Sequence, residues 1–105
     1  MSFLAIDAQK NYFTLQRNQL QFELTVIMAE ASRNLKVMDA IKSASPDSYD
    51  EDDRYIEAEE LDEVLETEKD SIESQINLLD NEISSLKSMV NNNIKNSCGL
   101  QLIGG

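Results

Sequence analysis

Two stretches of helical periodicity meet at one break. In the second half Leu65, Ile72, Ile76, Leu79, Ile83, Leu86 and Val90 recur at steps of seven, four, three, four, three and four. That spacing keeps one face of an α-helix apolar and, when sustained, makes a coiled-coil seam, here continuing to Ile94. In the first half Leu20, Leu24, Ile27, Ala31, Met38 and Ile41 step by four, three, four, seven and three, with Asn34 in the skipped slot and Leu35 beside it. Phe13 and Ile6 extend that stripe toward the start. Apolar and polar residues alternate over no sustained stretch, so no strand is predicted.

The break is set by proline. Pro46 is the only one in the chain, and the three glycines (Gly99, Gly104, Gly105) all fall in the last seven positions. Pro46 lacks an amide donor and pushes Ser45 out of the helical region, so the first helix is expected over about 3–43 and the turn over 44–48. Ser48 and Glu51 have capping-box spacing, and the following acids suit the positive end of a helix dipole. A second helix is therefore expected over about 49–97, with Gly99 as its left-handed C′ residue and a short tail at 98–105. Two helices of similar length and a short linker give an all-α fold, an antiparallel coiled-coil hairpin in a single domain. Asn34, and Asn93 near the second seam, are candidates for fixing its register at some cost in stability.

A hairpin of two helices has a thin core. The first helix is also apolar over most of its circumference near the middle. At 100° per residue Val26 lies opposite Leu24, while Phe22, Ile27 and Met28 fill much of the rest. One partner helix cannot cover that surface, so the fold is expected to be completed by oligomerisation or by a protein partner. The residues expected to carry association are Phe13, Leu20, Leu24, Ile27 and Met38 on the first helix, with Ile72, Ile76, Leu79, Ile83 and Leu86 on the second.

Composition narrows the chemistry. The 105 residues carry 20 acids against 9 bases, a net charge of −11, which argues against a nucleic-acid binder. The imbalance is local, since residues 47–70 contain 13 acids and two bases, Arg54 and Lys69. Like-charge pairs four residues apart (Asp53/Glu57, Glu59/Glu63, Asp62/Glu66, Glu66/Asp70) each cost an isolated helix about 0.2–0.5 kcal/mol, offset in part by Asp50/Arg54. Glu57, Glu59, Glu60, Asp62, Glu63 and Glu66 form an acidic face able to steer a basic partner. An EF-hand starting at Asp50 fails, because Arg54 and Tyr55 occupy its fifth and sixth positions.

With no histidine and one cysteine, the chain lacks Ser-His and Cys-His nucleophile pairs, histidine-based zinc sites and an internal disulfide. The paired carboxylates lie on polar helix faces, not in a desolvated pocket that would separate their pKa values. No glycine-rich phosphate loop is present. Catalytic residues, metal ligands and cofactors are accordingly not expected. No apolar run approaches the ~20 residues that cross a bilayer. The opening Met1-Ser2-Phe3-Leu4-Ala5-Ile6 meets Asp7 at once, so the expected location is cytoplasmic, or exported without a cleavable signal peptide. Cys98 reads as an ordinary semi-exposed thiol, and Leu100-Gln101-Leu102-Ile103 as a tail packing on another subunit. The diglycine end resembles ubiquitin-like modifiers, but those present it from a β-grasp domain.

Phe3-Leu4-Ala5, the stretch Arg17-Asn18-Gln19-Leu20-Gln21-Phe22-Glu23 and Asn93-Ile94-Lys95-Asn96-Ser97 resemble segments of a group of small bacterial helical proteins, a resemblance that implies long helices and no transferable activity. A helical hairpin of about this length is also similar at fold level to WXG100-type secreted proteins and to type III needle subunits, although the Trp-x-Gly turn of the former is absent. The expected role is a non-catalytic structural or scaffolding coiled-coil subunit. The alternatives are an acidic adaptor or chaperone for a basic or export-bound client, and a leaderless secreted filament or effector subunit.

Overall fold

The computed structural model describes the backbone of residues 2–104 and the side chains of residues 2–95. It is a helical hairpin of α1 (Phe3–Ala44) and α2 (Asp53–Gly104), joined through a 3-10 turn at Tyr49–Glu51. Ser2 caps α1: its Oγ accepts from the Ala5 amide at 3.2 Å and its carbonyl from the Ile6 amide at 3.0 Å. At the other end the Ser45 amide still donates to the Ile41 carbonyl at 3.1 Å, and Pro46 then halts the ladder.

The start of the second helix differs from expectation. α2 begins at Asp53, not near 49, and the Ser48–Glu51 capping box is not formed, since the Ser48 side chain makes no cap bond. The cap is Asp52, whose Oδ1 accepts from the Arg54 amide at 2.9 Å. The Arg54 guanidinium folds back onto both oxygens of the same carboxylate, at 3.1 and 2.8 Å, so Arg54 is spent on Asp52 instead of Asp50. A charged acceptor with a bidentate cation is a stronger N-cap than a serine hydroxyl, which accounts for the later start. Aromatic packing closes the turn: the Tyr49 and Tyr55 rings meet edge-on at 4.9 Å, and the Lys42 ammonium sits 5.1 Å from the Tyr49 centroid. At its far end α2 continues through Gly104, past the boundary expected near 97, instead of stopping with Gly99 at C′. A lone glycine costs a helix interior about 1 kcal/mol and does not by itself end it. Readings placed on the side chains of Cys98 and Leu100–Gly105 lie outside the described residues.

The chain divides into two compact units, Met1–Leu20 with Gln75–Gly105, and Gln21–Ser74. In the first, Ile6, only 2% exposed, clusters with Leu86 and Val90, and the half-buried Phe13 packs against them. Ile76 and Ile83 are also buried there. Arg17, in a seam slot of α1, donates from Nε to Asp80 at 3.1 Å; both side chains are a third or more exposed, so the pair is worth less than about 1 kcal/mol. In the second unit the buried residues are Leu24, Asn34 and Ile41 on α1 with Ala58, Leu65 and Ile72 on α2. The buried Asn34 spans the helices, its Nδ2 donating to the Ala58 carbonyl at 2.7 Å. The small Ala58 side chain allows that approach.

Candidate functional site

Every residue expected to carry association has gone into the seam between the chain's own helices. Leu24, Ile72, Ile76, Ile83 and Leu86 are buried, and Phe13, Leu20, Ile27, Met38 and Leu79 half-buried. Their heptad spacing is used within the chain first, so the more exposed apolar surface lies elsewhere. The seam also contains charged residues that an apolar pattern does not show. Asp62 and Lys69 are half-buried, and they complete the run Ala58, Asp62, Leu65, Lys69, Ile72 at alternating steps of four and three. Lys69 keeps its ammonium 3.9 Å from Glu73, the arrangement that lets an apolar stem lie in a seam while its head stays wet. Asp62 therefore leaves the acidic face. The rest of that face, Glu57, Glu59, Glu60, Glu63 and Glu66, is exposed as expected.

Exposed apolar side chains remain on both helices, Leu4 and Leu78 among them, and on the back of α1 they form a row. In the Gln21–Ser74 unit Phe22 is 70% and Val26 46% exposed. With exposed Ala29 they continue a four-three spacing opposite the seam, and the same row then turns basic at Arg33 and Lys36. In the other unit Ala5, Ala8, Tyr12 and Leu15 form an exposed row at three-four-three spacing on α1. The outward row of α2 is more polar. In the Gln21–Ser74 unit it reads Glu57, Glu60, Val64 and Thr67, with Val64 53% exposed. Glu60, Glu63, Val64, Thr67 and Glu68 line a shallow depression there. A second groove, of about 290 Å³ and open to solvent, is bounded by Ile27, Met28, Ala31, Ser32 and Leu35 on α1 and by Asp62, Leu65, Glu66 and Lys69 on α2.

The cap at the start of α2 shifts the ionisation of Asp52. Hydrogen bonds from the Arg54 side chain, then from its backbone amide, hold the Asp52 carboxyl at about 2 against an ordinary 3.8. A depressed acid stabilises the fold above its unfolded value and loses that contribution as pH falls through the folded one. The destabilisation caused by Asp52→Ala is thus expected to be nearly full at pH 5 and to shrink steadily as pH falls toward and below 2. Thermal melts of both proteins across that window check it, and a gap that stays constant from pH 5 to pH 2 would contradict the cap. Among the described residues no three acidic or cysteine side chains converge as a metal site, and no helix is long and apolar enough to cross a membrane. No family model, curated protein or solved structure matches the chain.

Proposed function

We propose that this chain is a non-catalytic coiled-coil subunit that acts by assembly, either with itself or with a protein partner. The observation that carries the reading is the exposed apolar row on the back of α1, Phe22–Val26–Ala29, lying opposite a seam that is already satisfied. Full burial of side chains such as Phe22 and Val26 is worth about 1.5–3 kcal/mol each, a driving force that a solitary hairpin leaves unused. The groove beside Leu65 is open to solvent, whereas general acid-base chemistry is helped by a pocket that excludes water. The same reading fits a subunit that stays in the cytoplasm or one exported without a cleavable leader. Intact protein in culture supernatant, free of cytosolic markers, would select the second.

The test is the mass of the purified chain in solution. Sedimentation at high micromolar concentration is expected to give an oligomer that persists in strong salt, because at 1 M the Debye length of about 3 Å leaves apolar contacts as the main support. A monodisperse monomer at every salt concentration overturns self-assembly. The exposed carboxylates Glu57, Glu59, Glu60, Glu63 and Glu66 favour a second reading, an acidic adaptor for a basic client. Its complexes would dissolve in the same salt series.

A further inference from the structure

The two outward faces of the Gln21–Ser74 unit have opposite characters, and their spacings match. On α1 the row runs from apolar to basic: Phe22, Val26, Ala29, then Arg33 and Lys36. On α2 it runs from acidic to neutral: Glu57, Glu60, then Val64 and Thr67. Among the described residues neither Arg33 nor Lys36 has an ion-pair partner, and neither does Glu57 or Glu60. Setting Ala29 opposite Val64 with the helices antiparallel answers each step of four or three residues by an equal step. Arg33 then meets Glu60, Lys36 meets Glu57, Val26 meets Thr67 at the edge of the depression around Val64, and Phe22 reaches Ser71 one step beyond it.

The other pairings do worse. Running the same two faces parallel sets Phe22 against Glu57 and leaves Lys36 opposite Ser71. Two antiparallel α1 faces set Phe22 against Arg33 with no carboxylate in the row. Two α2 faces leave Glu57 and Glu60 without a cation, opposite Thr67 and Val64 when antiparallel and opposite each other when parallel, a like-charge contact that costs association.

Resting on the assembly reading above, we propose that the occupant of each face is a second copy of this chain, seated back to front: the Phe22–Lys36 ridge of one copy lies antiparallel along the Glu57–Thr67 face of the next. Each copy then offers one ridge and one receiving face. The contact is heterologous and does not close on a pair, so copies add side by side until a ring closes or the row ends.

Two variants that each disable one face test this. Phe22→Glu combined with Val26→Glu removes the ridge, and Val64→Asp removes the receiving face. All three positions are exposed on helices, and circular dichroism verifies that both proteins keep the wild-type helical signal. Wild type is expected to sediment as a series of species above the dimer, and each variant alone as a monomer. An equimolar mixture is expected to give one complex of two chains, since the intact face of each variant fits that of the other while their altered faces repel. Val64→Asp forming a dimer by itself, or both variants assembling like wild type, overturns the back-to-front contact and leaves the assembly reading standing. A monomeric wild type overturns both this contact and self-assembly.

Discussion

Leu65→Asp is expected to abolish the helical fold, whereas Val64→Asp, one residue away, leaves it intact. Leu65 is 3% exposed and Val64 53%, so the two changes add the same charge to a buried and an exposed position of one helix. Leu65 is also poorly backed up. Its neighbours in the α2 seam, Asp62 and Lys69, are charged, and the α1 residues bounding the adjoining groove include the small Ala31 and Ser32. Truncation of a buried leucine alone costs about 2–5 kcal/mol. An aspartate adds the desolvation of a carboxylate, which Lys69 one turn on, already beside Glu73, offsets only in part. Small domains have total stabilities near the bottom of the ~5–15 kcal/mol range, so the sum exceeds what a two-helix core holds in reserve. Nor can α2 survive alone in this region, because repulsions such as Asp62/Glu66 and Glu66/Asp70 act against the isolated helix. Loss of most of the far-ultraviolet dichroism at neutral pH is the expected result. A Leu65→Asp protein that melts with wild type would show that the seam around this residue is not what holds the helices together.

The contrast between adjacent residues shows what the pattern of apolar positions can disclose. The seam over Ile72–Val90 was legible because each slot holds a branched aliphatic residue, and the period leaves one solution. Over Ala58–Lys69 the geometry continues unchanged while the chemistry alternates between apolar and charged, so Asp62 looked like one more member of an acidic surface. Only the helix phase, counted back from Ile72, separates it from Glu60 and Glu63. The cap failed for a related reason. Asp50, Glu51, Asp52 and Asp53 all offer a carboxylate, Ser48 offers a hydroxyl, and nothing local ranks them. The choice of Asp52 follows from the path forced on the chain by Pro46 and from Arg54 lying two residues on.

Phe22 and Val26 were legible as surplus apolar surface, yet the association residues chosen from the sequence were those of the inner seam. Both stripes of α1 have coiled-coil spacing, and periodicity alone does not say which is spent first. The decision lies in α2. Its inner row supplies Leu65, Ile72 and Ile76, while its outer row supplies Glu57, Glu60 and Thr67. The hairpin closes where burial is greatest, and α1's second stripe is left exposed.

Asn34→Asp should reverse the pH dependence expected of Asp52→Ala. Asn34 is buried and gives its amide hydrogen to the Ala58 carbonyl at 2.7 Å. The substitution is nearly isosteric, but it replaces a donor by an acceptor that faces another acceptor. At neutral pH the carboxylate would be desolvated and unpaired in that slot, with the half-buried Asp62 in the same unit adding like charge. The expected loss is about 3 kcal/mol or more, in the range found when a buried charge loses its partner. Protonation restores an O–H that can donate to Ala58, so the introduced group has a folded pKa above its unfolded value near 3.9. Its stabilising form is complete below that unfolded value and is lost as pH rises through the folded one. Melting temperatures of the Asn34→Asp protein should therefore approach wild type near pH 4 and fall steadily toward pH 7, while Asn34→Leu shows no such slope. If the two variants track each other across that range, the bond from Asn34 to Ala58 does not set the register of the seam.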